Sequence, residues 1–195
     1  MILGVDTGLA TCGWALLDER ACSFVDLGVV TQKAVKGRTI TLDRIQRANA
    51  LAQVLGSHVR GVSIVVVESL SLGMPGAIAK LSVGLSWGTL LGIVAMLDPK
   101  PRLLTIAPQR WQREVLPNAG KSVDYDELAR AAAEHLLARH PAAARALRRI
   151  PESKRNHAID AAMIALCGAL RPQRCEDVGE PDRQRAGRTA KRSAG

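Results

Sequence analysis

Aromatic side chains are nearly absent: three Trp, one Tyr and one Phe make up 3% of the 195 residues. A core must therefore be built from Val, Leu, Ile and Ala, and an RNA-reading surface of stacked aromatic platforms is excluded as the main recognition device. The four cysteines, Cys12, Cys22, Cys167 and Cys175, form no C-x-x-C pair and have no matching His spacing. That argues against zinc and for reduced thiols in a cytoplasmic protein. No basic leader or small-residue cleavage site precedes the first apolar run, so no secretory signal is expected. Long hydrophobic runs are lacking too, apart from the uncharged stretch Leu81–Leu97, which sits at the lower edge of a spanning helix. It carries Gly84, Gly88 and Gly92 at every fourth position and has no second apolar segment to accompany it. A buried core helix or a dimer helix is expected there, with Trp87 as a further interface candidate, and no membrane partner.

What is present is positive charge. The formal net charge of +9 attracts polyanions and predicts association that weakens with salt, which points to nucleic acid. The length suits one well-buried α/β domain and not two.

Met1–Asp6 is a short apolar run ending in a carboxylate, and Gly13–Leu17 and Phe24–Thr31 read as two further strands. Short connections make these three an antiparallel meander. From Thr39 the period changes: Leu42, Ile45, Ala48, Ala52 and Leu55 recur at helical steps. Val62–Val67 is a β-branched run, the pattern of a strand buried on both faces, and Glu68 follows it. After a Ser/Gly/Pro loop over 69–76 come the glycine-bearing helix, a strand over Arg102–Ile106 and a short helix opening at Pro108. A loop over 117–122, an alanine-rich helix over Asp124–Arg139 and a final helix from Asn156 complete the domain, expected to span 1–170. The rest, 171–195, is polar, basic and aperiodic, and is expected to be a disordered tail. Strands first and alternation afterwards predict a mixed five-stranded sheet, three antiparallel plus two parallel strands, with helices on both faces.

Asp6 and Glu68 stand at the carboxyl ends of strands that otherwise read as fully buried. A carboxylate there costs several kcal/mol unless it is paired or metal-bound, and the carboxyl ends of parallel strands are where α/β sheets gather ligands. The last helix adds a third. Ala158, Ala161, Ala162, Ala165 and Ala169 form a small-residue face suited to lying close on a sheet; Asp160 lies within it, and His157 one turn earlier projects to the same spot. Three hard oxygen donors and one imidazole suit Mg2+ or Mn2+ better than zinc. Two such ions about 4 Å apart would serve in-line phosphodiester cleavage.

Three blocks, ILGVDTGLATCGWALLD, VVVESLS and HAIDAAMIALCGA, resemble the RuvC-type Holliday-junction resolvases of the ribonuclease-H-like superfamily. The resemblance rests on Asp6, Gly8 and Gly13 at the start, Glu68 at the tip of the next buried strand, and His157, Asp160 and Ala161 on the closing helix. It implies an endodeoxyribonuclease that resolves four-way junctions or related branched DNA by paired nicks, leaving 5′-phosphate and 3′-hydroxyl ends. It implies Asp6, Glu68, Asp160 and His157 as ligands of two Mg2+ or Mn2+ ions, a homodimer, no nucleotide cofactor, and a bacterial or phage-encoded protein associated with the nucleoid. It also implies a basic residue near the scissile phosphate, here Lys121 with Lys154 as second candidate. Lys80 and Arg155 are further candidates for DNA contacts. Two departures stand out. Many members carry Asp where His157 stands, and an aromatic wedge after the glutamate, where this chain has SLSLGMPG. Leu70, Leu72 or Met74 could insert between bases instead, and a plain loop is the other reading of this segment.

Two other readings fit some residues. An actin-like ATPase or sugar kinase also opens on a strand and D-x-G, but would leave H-x-x-D unexplained and need a second phosphate loop. A catalytically weak or inactive basic DNA-binding domain of the same fold is the non-enzymatic alternative.

Overall fold

The computed structural model describes residues 1–33, 37, 39–69, 77–115 and 125–178. Strands β1 (Ile2–Asp6), β2 (Thr11–Asp18) and β3 (Ser23–Thr31) form the antiparallel meander. Helix α1 (Ile40–Val59) leads into β4 (Ile64–Glu68), and α2 (Ala77–Ala95) into β5 (Arg102–Ile106). β4 pairs parallel with both β1 and β5. Four helices follow: α3 (Pro108–Val115), α4 (Tyr125–Arg139), α5 (Pro141–Arg148) and α6 (Arg155–Leu170).

The expected five strands are therefore in place, three antiparallel and two parallel. A short sixth strand, β6 (Glu176–Asp177), extends the order to β3-β2-β1-β4-β5-β6. Residues 171–178, assigned to the tail by composition, form a 3-10 turn and this strand; positions 179–195 lie outside the described residues. β6 has no apolar alternation to announce it. An ion pair from Arg102 Nε to Asp177 at 2.5 Å and the Val178 amide donating to the Leu103 carbonyl at 3.0 Å hold it in place.

Local chemistry explains the element ends. Thr39 caps α1 by accepting the Leu42 amide at 3.4 Å, and Asp43 pairs with Arg47 one turn on at 2.8 Å. Pro141 opens α5, where its missing N–H costs nothing.

Two apolar cores sandwich the sheet. One lies under α6 and includes Ile2, Val66, Leu104, Leu136 and Leu147. The other lies under α1 and α2 and includes Leu3, Val5, Leu55, Val65, Val67 and Leu90. Each fully buried Val, Leu or Ile contributes roughly 1.5–3 kcal/mol to this sandwich. No helix among the described residues is long and apolar enough to cross a membrane.

Candidate active site

Strand alternation sets the direction of the two acidic residues. Along β1, Ile2 faces the α6 core while Leu3 and Val5 face the α1/α2 core. Along β4, Val66 faces α6 while Val65 and Val67 face away. Asp6 and Glu68 fall on the α6 side by the same period of two. The parallel register runs through Val5 opposite Val67, so the two carboxylates take the next step on adjacent strands.

The close seat of α6 supplies the rest. Ala158, Ala161, Ala162 and Ala165 are each 0% exposed. Beneath them the strands have glycine. A Cβ at Gly4 would sit 2.7 Å from the Ala165 Cβ and collide with the Ala161 carbonyl; one at Gly13 would collide with the His157 carbonyl. Missing side chains on both partners bring the helix down until His157 and Asp160 hang over Asp6. His157 Nδ1 lies 2.7 Å from Asp6 Oδ2. A proton on Nδ1 would be donated to Asp6 Oδ2 in this contact, leaving Nε2 for another partner.

Charge is crowded at this point. Burial, then the Asp6 and Glu68 charges, push the Asp160 carboxyl up to about 8, against the pull of His157. Burial and Asp6 push Glu68 up to about 7, opposed by its hydrogen bond from Trp111. The hydrogen bond to Asp6 raises the His157 pKa, aided by the Asp6 and Asp160 charges and opposed by burial and by Lys154. Cys12 is no nucleophile here: burial and Asp6 push its thiol up to about 12.

Among the described residues no three His, Cys, Asp or Glu side chains stand in a finished cation cage; Asp6 is turned to His157. The donor set nevertheless fits a hard divalent cation. Three carboxyls are forced together against burial and mutual repulsion, and a cation would relieve both.

Two residues that hold Glu68 were not singled out as such from sequence. Trp111, on α3, donates from Nε1 to the Glu68 Oε1 at 3.3 Å. Trp87, on α2, donates from Nε1 to the Glu68 carbonyl at 3.1 Å. Trp87 is 7% exposed and packs inward, so of the two readings open for it, interface or core, the structure gives the core. The only sequence signal was economy: two of three tryptophans stand in helices that follow the buried strands β4 and β5.

Lys154 ends the 3-10 turn before α6, and its charge is felt at His157. Arg155 donates from Nε to the Ile150 carbonyl at 3.1 Å, which ties down the chain ahead of α6. Lys80 is exposed on α2. Lys121, Leu70, Leu72 and Met74 lie outside the described residues.

Neither a family model nor a curated protein sequence matches the chain. Solved structures do. Thermus thermophilus RuvC in complex with a Holliday junction substrate superposes with a TM-score of 0.61 at 18% identity, covering 91% of this chain and 98% of that one. The yeast mitochondrial Holliday junction resolvase Ydc2 gives 0.60 at 14% identity, over 89% and 81%. The fowlpox virus resolvase with Holliday junction DNA gives 0.53 at 9%, over 84% and 96%. The architecture is thus ribonuclease-H-like. More narrowly, it is the fold of the RuvC-like junction resolvases, as the sequence motifs implied.

Proposed function

We propose that this chain is a divalent-metal-dependent endodeoxyribonuclease that resolves four-way or related branched DNA by paired nicks. The observation that carries this reading is the gathering of Asp6, Glu68, Asp160 and His157 at the carboxyl ends of two parallel strands, on a resolvase fold. A buried acidic cluster in a basic protein has a chemical use if cations and phosphates are its ligands.

Asp6, Glu68 and Asp160 would hold Mg2+ or Mn2+, with His157 Nε2 as a further donor. When bound, the ions supply a nucleophile at neutral pH and stabilise charge on the leaving 3′-oxygen, giving 5′-phosphate and 3′-hydroxyl ends. The chain's own residues orient this set. Trp111 and Trp87 fix both ends of Glu68, and His157 holds one Asp6 oxygen. Lys154 brings an ammonium to the edge of the site, where it would face the scissile phosphate; Lys121 is the other candidate for this role.

Paired nicks need two sites facing opposite strands, which requires a homodimer. The outward face of α2 suits that contact. A Cβ at Gly84, Gly88 or Gly92 would meet nothing within 4 Å, and Leu81 and Leu91 are 56% and 38% exposed.

The direct test is nicking of a four-way junction in Mg2+, Mn2+ or EDTA. Symmetric, religatable nicks in either metal and none in EDTA are expected. Tight junction binding with no cleavage in either metal would instead make this a DNA-binding domain without catalysis.

A further inference from the structure

Beside the acidic site lies a second feature with its own chemistry. A cleft of about 390 Å³ opens between α3 and the segment that carries β6, lined among others by Ser69, Arg110, Arg113, Glu114, Arg174 and Glu176. α3 divides its side chains between the two sites. Trp111 turns inward to the Glu68 carboxylate, while Arg110 and Arg113, three residues apart, share the cleft face.

The charges in the cleft do not balance. Glu114 already pairs with Arg174 at 3.1 Å and faces Arg171 at 3.7 Å. Arg110 donates from Nη1 to the Arg174 carbonyl at 2.9 Å, which braces its guanidinium without neutralising it. Arg113 is exposed and has no carboxylate partner among the described residues. Three guanidinium groups, of Arg110, Arg113 and Arg174, thus line the cleft with two carboxylates, Glu114 and Glu176. One wall is Ser69, the residue after Glu68, whose amide donates to the Ile106 carbonyl at 2.8 Å. The opening therefore adjoins the Glu68 end of the acidic site.

We infer that the Arg110–Arg113–Arg174 cleft binds a backbone phosphodiester of the DNA strand held in the acidic site. The inference rests on the nuclease reading and deepens it: a fixed phosphate contact sets the strand's register relative to the carboxylates. It also gives residues 171–178 a task, since they form the far wall.

The test is junction binding by the full chain in EDTA, where cleavage cannot interfere, followed by anisotropy from 50 to 200 mM salt. Arg113→Gln should weaken binding roughly threefold to tenfold and flatten the slope of log K against log salt by about one. Arg113→Lys should keep the slope. In Mg2+ or Mn2+, Arg113→Gln should raise KM and, through the looser register, lower kcat as well. The exposed Arg148→Gln on α5 should alter neither affinity nor slope, and equal melting temperatures for the variants exclude misfolding. An Arg113→Gln slope identical to wild type, or an equal loss in Arg148→Gln, overturns the inference while leaving the nuclease reading intact. Inorganic phosphate blocked by Arg113→Gln with junction binding unchanged would assign the cleft to a free anion and also overturn it. A wild type that binds no junction DNA overturns both readings together.

Discussion

Two helices of this protein carry the same kind of sequence signal and use it in opposite ways. α6 has a stripe of alanines and α2 a stripe of glycines, and each lies on one face of the same sheet. The alanines of α6 point inward against Gly4 and Gly13, and the helix sinks far enough to lay His157 and Asp160 over Asp6. The glycines of α2 point outward into open space, while Trp87, Leu90 and Val94 turn in. Small residues permit close approach on whichever side they face. On α6 the partner is the sheet; on α2 the small face is left open.

The largest effect should come from the chemistry that α6 delivers. Asp160→Asn is expected to cut nicking of a four-way junction by more than about 10³-fold, with junction binding retained. The same change should stabilise the metal-free fold. Asp160 and Glu68 have folded pKa values above their ordinary ones, so between roughly pH 4 and 8 the folded state holds protons that the unfolded chain releases. His157, also raised, acts in the same direction: its contribution is full below its ordinary pKa and lost as pH rises through the folded value. In EDTA, wild type should therefore lose stability as pH climbs through this window. Asp160→Asn should lose less, with a melting temperature higher by roughly 2–4 °C for each kcal/mol recovered at pH 8. Added Mn2+ should reverse the wild-type trend. A difference between the two proteins that shrinks with rising pH would contradict the crowded-carboxylate account.

Gly13→Ala attacks the seat of α6 and leaves the acidic residues in place. Its Cβ meets helix backbone, so the first turn of α6 must lift; a cost of about 1–3 kcal/mol and a roughly 10²-fold loss of nicking are expected. Chemical denaturation and single-turnover rates check the two parts separately.

On α2 the expectation is the reverse. Gly84→Leu with Gly88→Leu should not destabilise the monomer, and should stabilise the helix by up to about 1 kcal/mol per site, because each replaces glycine by a good helix former in open space. Light scattering should show the proposed dimer lost. Paired nicks should become single ones.

The smallest effect concerns metal choice. With an imidazole in the donor set, activity should be higher in Mn2+ than in Mg2+, and His157→Asp should move the ratio toward Mg2+ by several fold. A metal titration giving equal rates for wild type would argue that His157 only orients Asp6.

Much of this was legible in the sequence. Asp6 and Glu68 were readable because a carboxylate closing a buried apolar strand is costly, and Asp160 because a charge in an alanine face has no packing role. Strand positions followed from β-branched runs whose period is local. What could not be read was direction and distance. A stripe of small residues shows that close approach is possible, but the sequence does not say on which side. The tryptophan contacts to Glu68 join residues 19 and 43 positions apart and exist only once α2 and α3 are placed. β6 is an acidic dipeptide held by Arg102 across the sheet edge, a contact with no local pattern. The cleft of arginines was hidden for the same reason: its walls come from α3 and from residues that composition assigned to a tail.

The most direct test of the central claim sets wild type beside Asp160→Asn on a four-way junction and on an RNA–DNA hybrid of matched length, in Mg2+, Mn2+ and EDTA. The expected result is metal-dependent, symmetrically paired nicks in the junction by wild type alone, with the hybrid cut poorly and both proteins binding the junction equally. Junction cleavage by Asp160→Asn at the wild-type rate, or a wild type that binds the junction and cuts it in neither metal, would contradict the account.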